Sequence, residues 1–299
     1  MHRNLLIAAV MAALATPQAF AQLQEPDVTI RTEQVAEGVY VLFGQGGNIG
    51  VSVGEDGVFI IDDQFAPLTP KIDAALKALH PDPVRFVLNT HWHFDHTGGN
   101  ENYGNAGAVI VAHDNVRARM SVPQMMEFFK RAVPASPPEA LPVVTFNDSV
   151  SFHLNGDEIR AVYVANAHTD GDAFVQFRGR NVLHAGDTFF SGSYPFIDLD
   201  SGGSIKGLIA AVDAMLALAD EQTRIIPGHG PVSGRAELVT YRKMLEETSS
   251  RVRELKAGGR TVDEIVAAAP NADYDAEWAR GFITGERYIR MLYALLEKE

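Results

Sequence analysis

The apolar run Val84–Leu88 leads through Asn89-Thr90 into His91-Trp92-His93-Phe94-Asp95-His96, three imidazoles and a carboxylate within six residues. No other stretch limits the fold as tightly, because a backbone that turns directly after a strand must gather these groups at one place. Two histidines two positions apart at a strand end project the same way, so His91 and His93 can converge on one ion. Asp95 and His96 lie further on, where the chain turns toward Thr97-Gly98-Gly99, and their different direction suits a second ion. A lone histidine is more often a surface or hydrogen-bonded core residue than a ligand. Four metal-capable groups in six residues reverse that balance.

Such a site needs further ligands, and three later stretches offer them at strand ends: ANAHTDGD with His168, HAGDTFF with Asp187 and IPGHGP with His229. Each is flanked by glycine, which lets backbone approach a crowded centre and turn sharply.

The chain around these stretches reads as one large domain. At 299 residues and 46% hydrophobic content it can bury a sizeable core. Arg3, the apolar run Leu5 to Leu14 and Ala19-Phe20-Ala21 form a secretory signal pattern over residues 1–21. The apolar run is well short of the roughly 20 residues of a spanning helix, so no membrane anchor is expected after cleavage and the expected location is secreted or periplasmic. The absence of cysteine excludes disulfides and a thiolate nucleophile. A net charge of −13, or −14 without Arg3, argues against nucleic acid; a small-molecule substrate is expected.

Residues 22–299 then read as a single domain with a helical extension over 236–299. The strands VYVLF, NIGVSV and GVFIID open a meander; a helix over Pro70 to Leu79 and strands VRFVL and AVIVA follow, then a helix-compatible DNVRARM. In SVPQMMEFFKRAVPASPPEALP, the spacing of Met125, Met126, Phe128 and Phe129 favours one face of a helix packed on the core; a flap over a binding cleft is the alternative. Strands VVTF, SVSFHL, EIRAVYV, AFVQFR and NVLHA begin a second β-rich half, closed by a helix Ile205 to Leu218 and strand RIIP. A helix Glu237 to Leu255, a short one opened by Thr261-x-x-Glu264, and a last helix from about Asp275 complete the chain. Two mixed sheets packed face to face with helices outside are expected.

In their order, Asp62 after VFII, His91-x-His93-x-Asp95-His96, His168, Asp187 and His229 resemble the five motifs of the metallo-β-lactamase superfamily, over roughly Val39 to Pro231. The resemblance implies a four-layer αβ/βα sandwich with the site at one sheet edge. It implies His91, His93 and His168 on a first metal, Asp95, His96 and His229 on a second, Asp187 bridging both, and a buried Asp62 that orients the histidine loop. Imidazoles with carboxylates suit two Zn2+, with manganese or iron as alternatives. Two ions about 3.5–4 Å apart can hold a hydroxide that attacks a carbonyl, with Asp95 orienting it and shuttling a proton. An amide, ester or lactone is the expected substrate, with promiscuous β-lactam hydrolysis as the leading specific expectation. Asp187 at the bridge resembles the glyoxalase II and lactonase-like branches, because most true lactamases carry cysteine or serine there. A glyoxalase II-like thioesterase and an iron-dependent sulfur dioxygenase are the alternatives.

Other candidates read as structural. His80 and His153 are expected at the surface, and His113 and His184 in a satisfied core or helix-capping role. Asp63 is expected to face away from Asp62, and Asp172 either orients His168 or forms a turn with Gly171. Trp92 and Phe94 are expected to wedge the loop or line the cleft mouth; Tyr194 and Lys206 are candidate substrate contacts, with solvent exposure favoured for Lys206.

Overall fold

The computed structural model describes residues 28–298, so the expected signal segment 1–21 lies outside the described residues. The chain begins with β1 (Arg31–Ala36), β2 (Val39–Phe43), β3 (Ile49–Gly54) and β4 (Gly57–Ile61), an antiparallel meander. Helix α1 (Thr69–Leu79) crosses to β5 (Val84–Leu88), which is parallel to β4; the short helices α2 (Phe94–Thr97) and α3 (Asn100–Asn105) lead to β6 (Val109–His113), again parallel. Helix α4 (Asp114–Met120) precedes a two-stranded hairpin, β7 (Gln124–Met126) and β8 (Arg131–Val133). Strand β9 (Val144–Phe146) then completes a seven-stranded sheet in the order β1-β2-β3-β4-β5-β6-β9.

A second sheet runs β10 (Ser149–Leu154), β11 (Asp157–Tyr163), β12 (Ala173–Phe177), β13 (Val182–His184), β14 (Arg224–Ile226) and β15 (Ser233–Gly234), with α5 (Ile205–Leu218) as the crossover between the parallel pair β13 and β14. Four helices close the chain: α6 (Arg235–Ala257), α7 (Val262–Ala268), α8 (Ala272–Trp278) and α9 (Gly285–Lys298).

The period-two alternation of the strands produces the layers. In β4, Phe59 and Ile61 face the second sheet, where they join Ile159, Val175, Phe177 and Ile226 in the central core. Val58 and Ile60 face the other way, onto Ile72 and Leu76 of α1. In β14, Ile226 points to the central core while Ile225 packs with Leu208 and Val212 of α5 and Tyr241 of α6. Three apolar layers between two sheets and two helical coats give the αβ/βα sandwich.

Four expectations are corrected. Strand β1 was not expected, since RTEQVA is a polar edge strand with little buried surface. VVTF does not begin the second half: β9 adds to the first sheet, parallel to β6, and Val143 N donates to Ile110 O at 2.9 Å. The methionine and phenylalanine segment is a hairpin and not a helix; Pro123 and Pro134 bracket it and Lys130 takes a left-handed φ of 49° at its turn. The expected last helix from Asp275 is two helices, because residues 279–284 break between them and Tyr288 N donates to Thr284 O at the start of α9.

Tyr194 is also corrected: its ring is buried and stacked on Tyr288, and its hydroxyl donates to Asp275 Oδ1 at 2.9 Å, so it ties the sandwich to α8 rather than meeting substrate. Tyr194→Phe should cost about 1–2 kcal/mol through the lost partner. It should lower the denaturation midpoint and leave any hydrolytic activity of the protein intact; an activity loss without a stability loss would contradict this role.

Candidate metal centre

The parallel pairs β4–β5 and β13–β14 end at the same edge of the sandwich, and the polar loops that leave them meet there. From the first sheet come Asp62 and the histidine loop; from the second come Asp187, after β13, and His229, after β14. His168 enters on the loop between β11 and β12. Close approach explains two of the glycines. A Cβ on Gly47 would collide with the His96 ring, and one on Gly228 with Asp187 Oδ1.

Each buried imidazole is held by one nitrogen and offers the other. His96 Nδ1 donates to Asp62 Oδ2 at 2.7 Å, and His168 Nδ1 donates to Phe196 O at 2.7 Å. His93 Nε2 donates to Asp198 Oδ2 at 2.9 Å, and His91 Nδ1 meets Thr90 Oγ1 at 3.1 Å. Anchoring of this kind sets tautomer and ring orientation. Asp62 sits at a left-handed φ of 63° and also accepts from Thr90 N and Thr90 Oγ1, both at 2.8 Å. It thereby fixes both ends of the histidine loop to the end of β4.

The free nitrogens gather into two groups, His91, His93, His168 and Asp187 in one, and Asp95, His96 and His229 in the other, each with its ligand atoms within 4.8 Å of one another. Asp187 faces both. Its Oδ2 lies 3.5 Å from His168 Nε2 and 3.9 Å from His91 Nε2, while its Oδ1 lies 3.1 Å from His96 Nε2 and 3.4 Å from His229 Nε2. His91 Nε2 and Asp187 Oδ1 are buried without a hydrogen-bond partner, and His168 Nε2 stands 2.9 Å from His93 Nδ1. Buried polar atoms left this way are costly unless something binds them. A divalent cation in each group would satisfy them, and nitrogen with carboxylate oxygen is a donor set suited to zinc and related ions.

Electrostatics divides the two groups. Burial depresses His91 well below the usual imidazole range and brings His168 down to about 4, so these rings are neutral. In the other group burial opposes charge, yet the Asp187 and Asp95 carboxylates raise His96 well above its usual range and His229 to about 9. Asp95, despite burial, is drawn down to about 2 by His96 and His229. The side chains of Asp95 and His229 are 24% and 30% exposed, against 6% for Asp187, so the second group faces the cleft.

That cleft holds about 300 Å³ and is walled by Met126, Phe129, Phe190, Phe196 and Phe282 around His93, Asp95, Asp187 and His229. The hairpin therefore reaches the centre: Met126 is buried, and Phe128 and Phe129 pack on Phe196 with centroids 4.9 and 5.3 Å away. Phe282 comes from the break between α8 and α9.

The remaining candidates fall as follows. Trp92 is buried with Nε1 donating to Ser201 Oγ, and half-buried Phe94 lines the cleft. His113 caps α4 by accepting from Asn115 N and stacks on Tyr163. His184 is buried with Nε2 3.0 Å from Asn48 O. His80 is half-buried, and His153 and Lys206 are exposed. Asp63 accepts from Gly99 N at 2.8 Å and steadies the loop from its far side. Asp172 accepts from Thr169 N and Oγ1, shaping the turn after His168, and burial pushes its carboxyl up to about 8. Asp198 escaped the sequence reading: IDLDSGG bears no motif, and only its distance to His93 marks it.

Comparison with known proteins agrees with this geometry. A family model described as the Metallo-beta-lactamase superfamily matches residues 43–234. The lactamase-like protein aptB of Emericella nidulans is 25% identical over 198 residues, 62% of this chain and 55% of its own. A hydroxyacylglutathione hydrolase of Gloeobacter violaceus is 30% identical over 142 residues, 45% of this chain and 49% of its own. The chain thus spans about half the length of these curated relatives. Among solved structures, a metallo-beta-lactamase from Pontibacter korlensis superposes with a TM-score of 0.60 at 17% identity, over 73% of this chain and 99% of its own, a likeness of fold.

In metal-free protein the raised histidines stabilise the fold fully below pH 6.5, and this contribution is lost as pH rises through about 9. The raised Asp172 acts in the same direction up to about 8. Chelator-treated protein should therefore lose several degrees of Tm between pH 6.5 and 9; a Tm that rises over that window would contradict the assignment of charge.

Proposed function

We propose, from the premise that this chain belongs to the metallo-beta-lactamase superfamily, that it is a dinuclear hydrolase of carbonyl compounds, an ester, lactone or amide, with zinc as its metal. The observation that carries the reading is the placement of Asp187, whose two oxygens face the two groups of ring nitrogens separately. His91, His93 and His168 would hold the first ion, Asp95, His96 and His229 the second, and Asp187 both. When bound, such a pair supplies Lewis acidity and a hydroxide nucleophile near neutral pH.

The protein's own residues do the rest. Asp62, Asp198 and the Phe196 carbonyl hold the rings at fixed angles, so little reorganisation accompanies reaction. Asp95 is the proposed catalytic carboxylate. Its low pKa suits it to accept a hydrogen bond and orient the attacking oxygen, passing a proton toward the cleft without storing it. The phenylalanine walls exclude water and favour a substrate with apolar surface. We further propose that the protein acts outside the cytoplasm, on the pattern of residues 1–21.

A second reading, a thioesterase, is favoured by the 30% identity to a hydroxyacylglutathione hydrolase. Metal analysis of the purified protein with assays on a lactone, an aryl ester, a cephalosporin and a glutathione thioester separates the two. One or fewer irons per chain with persulfide-dependent oxygen uptake would overturn both.

Asp187→Ala should lose the second ion and lower hydrolysis by roughly two orders of magnitude or more; full metal content with full activity would remove the bridging role. Asp198→Asn should weaken metal affinity on the order of 10–100-fold while the protein stays folded. Unchanged affinity in competition with a chromophoric chelator would show that Asp198 does not position His93.

A further inference from the structure

Behind the metal cleft lies a second cavity of about 400 Å³, within the range of roughly 300–1,000 Å³ typical of small-molecule sites. Phe65, Leu68, Trp92, Phe94, Met120 and Val133 are among its walls. The strand β8 and the proline-rich run that follows it form its outer side, and α2, the helix that carries Asp95 and His96, forms its inner side. Gln45, Phe65 and Phe94 line both this cavity and the metal cleft, so a partition of three side chains separates the two.

Three charged residues line the cavity: Glu101 is exposed, and both arginines are engaged. Arg119 makes a two-pronged contact with Asp170, at 2.6 and 2.7 Å, and the Arg131 guanidinium lies 4.3 Å over the Phe94 ring. What remains open to a ligand is mainly hydrocarbon and aromatic surface. The Phe65 and Phe94 rings lie 5.8 Å apart at 38°, in contact, so a group passing their edges has to be slender. A broad ring system would need both phenylalanines displaced, whereas an alkyl chain can bend around them, and the pliant Met120 can repack against it.

We propose that this cavity is a subsite for a linear alkyl chain carried by the substrate, so that the hydrolysed bond sits at the metal cleft and the chain lies past Phe94. The proposal rests on the hydrolase reading for the scissile bond, and on the cavity alone for the chain. It makes the substrate class an ester or lactone of a medium- to long-chain acid.

Calorimetry of the protein as purified, titrated with 1-octanol, tests the subsite without turnover, since an uncharged alcohol is a poor metal ligand. Saturable binding is expected, and its affinity should fall at least about tenfold in Ala135→Phe and in Ala66→Phe, which place a ring in the cavity from two sides. Two variants guard against misfolding of one. In parallel, kcat/KM should be at least roughly tenfold higher for p-nitrophenyl decanoate than for the acetate, because burial of two further methylenes suffices for that factor. The variants should lower this ratio. Octanol binding that both variants lose supports the subsite even if no ester is hydrolysed, in which case the hydrolase reading alone fails. No octanol binding, or equal binding in wild type and both variants, overturns the subsite even where esters turn over.

Discussion

The carboxylate of Asp187 is the point on which both halves of the molecule close. It leaves the end of β13 in the second sheet and lies within 4 Å of ring nitrogens on His91 and His96 from the first. Burying a carboxylate in such a place is expensive unless positive charge faces it. Without metal that charge is the protonated pair His96 and His229. With metal it would be the cations themselves. The same carboxylate therefore serves the fold in either state, and the identity of the compensating charge is what changes between them.

Much of this was legible in the sequence because the information is local. The alternation in GVFII writes out two buried faces, and the spacing of His91, His93, Asp95 and His96 writes out a turn after a strand. The loops with His168, Asp187 and His229 were legible through their glycines, and the structure brings all three to the histidine loop. What could not be read is what depends on partners distant in the chain. VVTF carries no pattern that assigns it to one sheet, and its partner in β6 lies some thirty residues back in the chain. Asp198 looks like an ordinary loop aspartate until the His93 ring lies beside it. The hairpin over Gln124–Val133 carried a helical spacing of apolar residues, yet the flanking prolines and the left-handed Lys130 won.

The two groups of donors are unequal, and the inequality sets a direction for chemistry. His91, His93 and His168 are buried, and His91 and His168 are neutral, so those two rings are ready to bind a cation without first shedding protons. Asp95 and His229 stand partly open and exchange charge with each other, so binding there must displace a proton. The more open side of the centre is that of Asp95 and His229, while Phe196 and Asp198 pack against His93 of the buried group. Around that open side stand Met126 and Phe129 of the hairpin, Phe282, and the Phe65–Phe94 partition. A polar bond and an apolar remainder are what such a site can hold at once: the bond against Asp95 and Asp187, the remainder against phenylalanine.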